Sequence, residues 1–227
     1  MRISTGLILC AGFGKRVAPI TNTTPKPLLK IKNVTLLENS INFLQKCGIK
    51  KIKINTHYLS DEIVNFIKKK NYKNEVKLFF EKEILDTGGG IKNLANNDTE
   101  ENFLIINPDT IWKDNYLIEV EKMKKFYFDN NLSNILMLVN KSKSFDKRFK
   151  GDFTLNDNLV SKENINNFIF TGCQILNKSV FTSINKNKFS ISEVWDKEIK
   201  NKQLYGIESV IEFLHVTDLD IYKKLSS

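Results

Sequence analysis

The chain has 227 residues, of which 41% are hydrophobic and 27% charged, the balance of a globular protein with a sizeable core. Its apolar runs stay well below the roughly 20 residues of a membrane span, and its three cysteines lack metal-ligand spacing, so neither a membrane protein nor a cysteine-held scaffold is predicted. The formal net charge of +9 favours anionic ligands, but no basic stripe alternates with aromatic residues, so nucleic acid is not an expected partner.

Strand-like and helix-like segments alternate through the first part of the chain. Buried strands are predicted at 3–10, 51–56, 76–80, 103–107 and 135–139. Apolar residues at helical spacing predict helices at 37–47, at 61–67 with Asp61 as the cap, and at 117–127. This alternation predicts an α/β fold with a Rossmann-like, mostly parallel sheet flanked by helices.

The pattern changes after residue 141. A polar loop is predicted at 141–150, and strands at 152–155 and 168–176 follow without an intervening helix. Helices are predicted at 192–199 and 221–225. We therefore expect a small antiparallel substrate-binding insertion that covers the sheet edge, within a single domain of residues 1–227.

A glycine-rich turn follows the first predicted strand. Gly12 and Gly14 are followed directly by the cations Lys15 and Arg16. Glycines let backbone N–H groups approach phosphate oxygens, and adjacent cations can hold a polyphosphate and the charge that develops when it breaks. The turn, beginning at Ala11, therefore predicts a nucleoside triphosphate site.

Two common phosphate loops match this turn poorly. The dinucleotide fingerprint requires a third glycine where Val17 stands, and an acidic residue at the end of the second strand where Asn55 and Thr56 stand. The P-loop requires glycine where Leu9 stands and Ser or Thr where Arg16 stands. A dinucleotide-dependent oxidoreductase is thus the weaker alternative.

The sequence Pro25-Lys26-Pro27 comes shortly after this turn. The glycine turn, Arg16 and this proline-flanked lysine together resemble the G-x-G-x-R and P-K-P pattern of the sugar-1-phosphate nucleotidyltransferase family. The resemblance implies that the phosphate of a sugar 1-phosphate attacks the α-phosphorus of a nucleoside triphosphate and that pyrophosphate leaves. It also implies that Arg16 binds the triphosphate and that Lys26 lies near the α-phosphate or the sugar phosphate, which makes both candidate catalytic residues.

Asn107-Pro108-Asp109 ends another predicted strand. In open parallel sheets, ligands bind beyond the carboxyl ends of the strands, so Asp109 is expected at the same edge as the Gly12 turn. A carboxylate there suits a hard cation such as Mg²⁺, so Asp109 is a candidate catalytic and metal-binding residue and Asn107 a candidate substrate-binding residue. The family usually has glycine before this aspartate, and Pro108 departs from that pattern.

The resemblance implies a second metal carboxylate near the C-terminus, where a gapless alignment places His215. Histidine is a poor ligand for Mg²⁺ and a better one for Mn²⁺, Co²⁺ or Zn²⁺. His215 is therefore a candidate metal ligand, with Mn²⁺ as an alternative to Mg²⁺, and Asp218 and Asp220 are alternative ligands. The departure also motivates another hypothesis, a protein that binds nucleotide without catalysis.

A second glycine cluster occurs at 88–90, and three consecutive glycines leave room for a flat base or ribose. With the preceding acidic residues, it resembles the E-T-G-G-G-I segment of the N-acetylmuramic acid-1-phosphate uridylyltransferases, a subgroup that segments 55–59, 109–112, 151–153 and 170–172 also resemble. The resemblance implies nucleotide binding at Gly88 and Gly89. It also implies a sugar pocket lined by Gly151, Asp152, Thr171 and Gly172.

The subgroup resemblance implies that UTP and N-acetylmuramic acid 1-phosphate are joined, giving a nucleotide sugar and pyrophosphate. Such an enzyme would act in the cytoplasm in peptidoglycan recycling, as a monomer or small homo-oligomer. The main alternative is a guanylyl- or cytidylyltransferase for mannose-, heptose- or choline-phosphate-type acceptors, because the glycine turn does not specify the base.

Overall fold

A nine-stranded sheet organises the protein, and the computed structural model describes residues 3–227. The strands are β1 (Thr5–Leu9), β2 (Lys30–Ile31), β3 (Val34–Thr35), β4 (Lys51–Thr56), β5 (Glu75–Phe80), β6 (Asn102–Ile106), β7 (Asn134–Asn140), β8 (Thr154–Asn156), β9 (Leu159–Ser161), β10 (Phe168–Asn177) and β11 (Tyr205–Ser209). The α-helices are α1 (Leu36–Lys46), α2 (Ser60–Lys69), α3 (Asp86–Asn96), α4 (Tyr116–Asp129), α5 (Ser192–Lys200) and α6 (Leu219–Ser226).

The order of strands in the sheet is β5-β4-β1-β6-β10-β7-β11-β9-β8. The first four of these strands run parallel to one another, as do β7 and β11. Strand β10 and the β8–β9 hairpin are antiparallel to their neighbours, and β2 and β3 form a separate ribbon. The predicted α/β fold with a mostly parallel sheet is confirmed.

Helices cover both faces of the sheet because successive strand residues point to opposite sides. In β1, Ile8 lies in one buried cluster with Leu44 of α1, whereas Leu7 lies in a second cluster with Ile91 and Leu94 of α3. All five side chains are fully buried, and each such burial stabilises the fold by about 1.5–3 kcal/mol. The longest helix within residues 3–227, α4, has 14 residues, and no helix there has the length and apolarity to cross a membrane.

The segment 168–176 differs from its predicted place. We expected it in an antiparallel cover over the sheet edge, but as β10 it lies inside the main sheet between β6 and β7. Residues 171–176 are all buried, as a central strand requires. Only the short β8–β9 hairpin forms the antiparallel edge. Asp61 is also not a cap, since α2 begins at Ser60 and Asp61 lies in its first turn.

Candidate active site

The functional residues gather at one edge of the sheet. Because β1, β4 and β6 are parallel and adjacent, the segments that follow them emerge at the same edge. Gly12 and Asp109 follow β1 and β6, and both line one cavity of about 230 Å³. The predicted proximity of these two segments is therefore confirmed.

A second cavity, of about 450 Å³, adjoins the first. The two have Leu9, Gly12, Thr87 and Asp109 in common in their walls, so they are two parts of one cleft. The first part also contains Ala11, Asn55, Glu81, Ile84, Asp86, Asn107 and Pro108. The second also contains Cys10, Phe13, Gly14, Lys15, Arg16, Val17, Lys26 and Pro27.

The glycine turn is fixed at its start by a hydrogen bond and leaves the surface of Gly12 open. The Cys10 amide donates a hydrogen bond to Asn55 Oδ1 at 2.8 Å, which fixes the start of the turn. A Cβ built on Gly12 would meet no atom of residues 3–227 within 4 Å, apart from its chain neighbours. Gly14 has φ +66° and a Cβ there would lie 3.0 Å from the Cβ of Lys26. Gly14 therefore shapes the turn, whereas Gly12 leaves its surface free for a ligand.

Lys15 and Arg16 form a 3₁₀ turn, Lys15–Val17, that is anchored by the buried side chain of Val17. Both cations are exposed, and neither forms an ion pair within residues 3–227. Lys15 Nζ lies 5.2 Å from the centre of the Phe13 ring. Uncompensated positive charge beside an open glycine turn is suited to the binding of phosphate.

Lys26 packs against the glycine turn beside Gly14 and contacts Asp109. Its Nζ donates to Asp109 Oδ2 at 2.6 Å, and only 13% and 19% of the two side chains are exposed. Pro25 is extended and precedes the 3₁₀ turn Lys26–Leu28, in which Pro27 is buried, so the prolines restrict the backbone around Lys26. The lysine is therefore held in position before any ligand arrives.

The carboxylate of Asp109 has one paired and one unpaired oxygen. Oδ1 is buried without a hydrogen-bond partner within the described chain. Burial by itself raises the pKa of Asp109, but the positive charges of His215 and Lys26 and the Lys26 hydrogen bond outweigh it, so the pKa lies well below its usual range. A buried, ionised carboxylate with a free oxygen fits a divalent cation.

His215 lies beside Asp109, as the gapless alignment predicts. Thr110 and His215 form an isolated antiparallel bridge, and His215 Nε2 lies 3.6 Å from Asp109 Oδ2. Burial lowers the pKa of His215, the charges of Lys26 and Arg16 add to this, and Asp109 only partly opposes it. Burial thus disfavours the charged form of the imidazole, while the Lys26 ion pair favours the ionised carboxylate of Asp109.

Asp109 and His215 are the residues that could hold a cation here. Residues 3–227 contain no cluster of three or more His, Cys, Asp or Glu side chains arranged to bind a metal. The alternative ligand Asp218 is occupied elsewhere, since it caps α6 by accepting from the Ile221 amide at 3.1 Å and pairs with Arg148 at 2.7 Å.

The glycine cluster at 88–90 packs closely against another segment of the chain. These residues are buried inside α3, and a Cβ would lie 2.4 Å from the Phe189 ring at Gly88 and 2.0 Å from the Asn187 carbonyl oxygen at Gly89. The Gly89 amide donates to the Phe189 carbonyl oxygen at 3.1 Å. Segment 187–191 covers the side of Gly88 and Gly89 on which a Cβ would lie, and nucleotide binding at these two glycines stays a prediction.

Most of the predicted sugar-pocket residues lie outside the walls of the cleft. Thr171 is fully buried, and its hydroxyl donates to the Met137 carbonyl oxygen at 2.8 Å. Gly172, with φ +88°, packs against Asn107, and its carbonyl oxygen accepts a hydrogen bond from the backbone amide of Asn107 at 2.8 Å. Of the predicted set, only Lys26 and Asn107 line the cleft.

Gly151 and Asp152 belong to the region before β8 and are also absent from the walls of the cleft. Gly151 has φ +93°, and a Cβ there would lie 2.3 Å from the Asn166 carbonyl oxygen. Asp152 Oδ2 accepts from the Phe170 amide at 2.9 Å. Both residues hold the chain around β8 in place, and their role in a sugar pocket stays a prediction.

Three polar residues of the cleft were missed. Asn55 lies near the end of β4, and Glu81 directly follows the parallel strand β5. Asn55 Nδ2 donates to Glu81 Oε1 at 2.7 Å. Glu81 Oε2 accepts from the Leu85 amide at 3.1 Å. Thr87 Oγ1 accepts from the Ile191 amide at 3.0 Å. The rule that located Asp109, polar side chains at strand ends, would have found Asn55 and Glu81 as well.

The chain has relatives of known activity over nearly its whole length. Residues 5–146, more than half of the chain, match the nucleotidyl transferase family. The D-glycero-α-D-manno-heptose 1-phosphate guanylyltransferase of Aneurinibacillus thermoaerophilus is 29% identical over 231 residues, covering 96% of this chain and 95% of that protein. The N-acetylmuramate α-1-phosphate uridylyltransferase of Caulobacter vibrioides is 24% identical over 220 residues, covering 93% and 91%.

Solved structures have the same fold. HddC from Yersinia pseudotuberculosis complexed with GMP-PN superposes with a TM-score of 0.79 at 22% identity, covering 99% of this chain and 98% of that one. A putative glucose-1-phosphate thymidylyltransferase from Bacillus anthracis gives a TM-score of 0.81 at 17% identity, covering 98% and 93%. Taken with the family match and the relatives, this fold establishes that the chain belongs to the nucleotidyl transferase family, among the sugar-1-phosphate nucleotidyltransferases.

Proposed function

We propose that the cleft joins a purine nucleoside triphosphate, GTP, to a sugar 1-phosphate and releases pyrophosphate. The observation that carries the proposal is the composition of one cleft: the open surface of Gly12, the unpaired cations Lys15 and Arg16, and the Lys26–Asp109 pair. The triphosphate would lie along the glycine turn, with its β- and γ-phosphates near Arg16. Lys26, which packs against the turn beside Gly14, would lie near the α-phosphorus.

The reaction needs little covalent help from the protein. The attacking phosphate oxygen of the sugar 1-phosphate is already ionised, so no serine, cysteine or histidine nucleophile is required. The barrier comes from bringing two anions together, and side chains that neutralise charge and align the reactants lower it. In this scheme Lys26 attracts both phosphates and Arg16 stabilises the negative charge that accumulates on pyrophosphate.

Asp109 and His215 would hold a divalent cation, Mg²⁺ or Mn²⁺. When bound, such a cation neutralises phosphate charge and favours departure of pyrophosphate. Lys26 is paired with Oδ2 of Asp109, so Oδ1 is the oxygen without a partner that would bind a cation.

Glu81 supports guanine as the base. Its carboxylate lines the part of the cleft that also contains Ala11 and Gly12. Each carboxylate oxygen accepts one hydrogen bond within the protein, from Asn55 and from Leu85, and retains a lone pair. The Watson–Crick edge of guanine presents two adjacent donors, N1–H and the amino group, and a carboxylate can accept both. Uracil presents a single N–H between two carbonyl oxygens, which a carboxylate repels.

The second candidate is the uridylyltransferase reaction with N-acetylmuramic acid 1-phosphate, as part of peptidoglycan recycling. It is supported by the Asp86–Ile91 segment and by the Caulobacter vibrioides relative. The 29% identical heptose 1-phosphate guanylyltransferase supports GTP with a heptose-type acceptor. We propose that the protein acts in the cytoplasm, since its proposed substrates are nucleoside triphosphates.

The experiment that tests the proposal is a matrix of pyrophosphate release. GTP, UTP, CTP, ATP and dTTP are each combined with heptose-, mannose- and N-acetylmuramic acid 1-phosphates, in Mg²⁺ and in Mn²⁺. Release that depends on GTP and one acceptor supports the first candidate, and release confined to UTP with N-acetylmuramic acid 1-phosphate supports the second. Nucleotide binding without release for any pair would contradict both and favour a protein that only binds nucleotide.

A further inference from the structure

A third cavity, of about 680 Å³, is lined by residues of α5 and of segment 178–186. Ser133 and Gln203, which shortly precede β7 and β11, also line it. Because β7 and β11 run in the same direction as β6, this is the amino edge of the sheet, opposite the edge that holds the cleft. Within residues 3–227 the cavity shares no lining residue with the cleft, and its volume is that of a small-molecule site, on the order of 300–1,000 Å³.

Glu198 of α5 places a buried carboxyl group in the wall of this cavity, with only 7% of the residue exposed. Its Oε2 accepts from Asn134 Nδ2 at 2.8 Å, whereas Oε1 accepts no hydrogen bond within residues 3–227. No lysine or arginine of the described chain forms an ion pair with Glu198. Burial raises the pKa of Glu198 to about 7, so below that pH a proton takes the place of the missing cation.

Asn134 adds a second oxygen that lacks a donor. The residue is fully buried, and its Oδ1 has no hydrogen-bond partner in the part of the chain that the structure describes. Buried polar atoms normally have a partner, so two unsatisfied acceptors on two hydrogen-bonded side chains indicate a missing donor.

The charged and titratable groups around Glu198 do not supply this donor, because each has another partner. Their contacts are Lys186 with Glu193, Lys197 with the Ser183 hydroxyl at 2.9 Å, and Tyr127 of α4 with Asn102 at 2.7 Å. A metal ion is a poor match, since no cluster of three or more His, Cys, Asp or Glu side chains in residues 3–227 could bind one. An ammonium group suits one carboxylate among neutral acceptors, and it donates three hydrogen bonds.

We propose that this cavity binds a small organic ligand through a protonated amine that donates to Glu198 Oε1. The amine replaces the proton of Glu198, which is released to solvent, so binding strengthens as pH rises through the pKa of this carboxyl group. Hydroxyl groups elsewhere in the walls can bind further polar groups of the ligand; they belong to Ser133, Ser179, Thr182 and Ser183. The site goes beyond the proposed function and does not depend on it.

The test is an NMR titration of Glu198 in protein labelled with ¹³C-glutamate, with propylammonium chloride, propanol or sodium chloride added. Propylammonium carries the amine and little else, and an alkylamine of this kind stays charged to about pH 10. We expect propylammonium to lower the pKa of Glu198 by about one, a tenfold preference for the ionised carboxyl group, and propanol and sodium chloride to leave it unchanged. A pKa that propylammonium does not lower, or that sodium chloride lowers equally, would overturn the proposal.

Two variants locate the effect. Glu198→Gln identifies the Glu198 signal and removes its charge, and the backbone amide shifts of segment 178–186 report binding of propylammonium. We expect the wild type to bind about tenfold more tightly at pH 8 than at pH 5, and Glu198→Gln to bind weakly at both. Glu193→Gln, on an exposed residue that lines the same cavity, should keep the wild-type pH dependence.

Equal affinity of the wild type and Glu198→Gln at pH 8 would overturn the proposal. These measurements contain no nucleotide and no sugar 1-phosphate. A protein that binds propylammonium in this way but releases no pyrophosphate would therefore contradict the proposed function alone.

Discussion

Lys26 and Asp109 are 83 residues apart in the sequence, yet Lys26 Nζ and Asp109 Oδ2 are 2.6 Å apart in the structure. The pair joins the Pro-Lys-Pro turn to the segment after β6, so it assembles the cleft from two distant parts of the chain. The ion pair is well shielded from solvent, which makes its geometry better defined than that of a surface pair.

Removal of the Lys26 charge should abolish most of the activity. We expect Lys26→Ala to lower kcat by a factor on the order of 10²–10³, because a cation near the reacting phosphates is lost. It should also destabilise the fold by about 1–3 kcal/mol, since Asp109 loses its partner. Pyrophosphate release and urea denaturation measure the two effects. Lys30→Ala, an exposed lysine nearby, should change neither, and near-normal turnover of Lys26→Ala would contradict the assigned role.

Arg16 should matter for nucleotide use and not for stability. It is exposed and forms no ion pair within residues 3–227, so Arg16→Ala should leave the melting temperature unchanged. We expect kcat/KM for the nucleotide to fall by about 10²-fold, as the triphosphate loses a charged partner. Arg148→Ala is the contrasting control, because Arg148 pairs with Asp146 and Asp218. Arg148→Ala should lower the melting temperature and leave kcat/KM unchanged. A lower melting temperature for Arg16→Ala with unchanged kcat/KM would contradict the role of Arg16.

The two glycines of the turn should respond differently to alanine. Gly14→Ala puts a side chain at φ +66°, with Lys26 and Thr21 at 3.0 and 3.1 Å, and should cost about 1–2 kcal/mol of stability. The Cβ of Gly12→Ala would meet no atom of residues 3–227 within 4 Å apart from its chain neighbours, so the variant should fold normally and raise KM for the nucleotide. Denaturation curves and nucleotide titrations separate the two effects. Tight nucleotide binding by Gly12→Ala would show that the phosphates lie elsewhere.

Glu81 should influence the choice of base. Glu81→Gln replaces one acceptor oxygen with a donor, so kcat/KM for GTP should fall about 10- to 100-fold relative to UTP. Glu83→Gln, two residues away and exposed, is the matched control. The ratio of the two kcat/KM values is measured directly by competition between GTP and UTP. An unchanged ratio in Glu81→Gln would remove the support that Glu81 gives to guanine.

Glu198 predicts a pH dependence of stability. Burial raises its pKa from 4.5 to about 7, although Asn134 and Lys197 oppose the shift. Because the folded state holds this proton more tightly, its contribution to stability is fully present below pH 4.5 and is lost as pH rises through about 7. The loss is at most about 3 kcal/mol.

Glu198→Gln should remove this dependence. Gln keeps an acceptor for Asn134 Nδ2, which now donates to Glu198 at 2.8 Å, and it carries no charge at any pH. Urea denaturation at pH 5 and pH 8 should show the variant more stable than the wild type at the higher pH only. The exposed Glu193→Gln on the same helix should follow the wild type. Parallel pH profiles for Glu198→Gln and the wild type would contradict the prediction.

Local patterns in the sequence predict five of the six α-helices, seven of the eleven strands and the common edge of Gly12 and Asp109 within residues 3–227, because burial and periodicity are local properties. The helix α3 and the strands β2, β3, β9 and β11 were not predicted. Local patterns also do not predict the strand order. An apolar run such as 168–176 is equally suited to an edge cover and to the centre of the sheet, and only its pairing with β6 and β7 decides between them. A run of glycines in the sequence likewise does not show what the glycines contact. Gly88 and Gly89 could face a ligand or a neighbouring backbone, and segment 187–191, about a hundred residues away, is what covers them.

Joint measurement of pyrophosphate and nucleotide sugar tests the central claim most directly. Wild-type protein is incubated with GTP or UTP and each sugar 1-phosphate, pyrophosphate is quantified by a coupled assay, and the sugar product by mass spectrometry. We predict equal amounts of both products, dependent on the acceptor and formed about 10²-fold more slowly by Arg16→Ala at low nucleotide concentration. No nucleotide sugar from any pair, or pyrophosphate formed without an acceptor, would contradict the account.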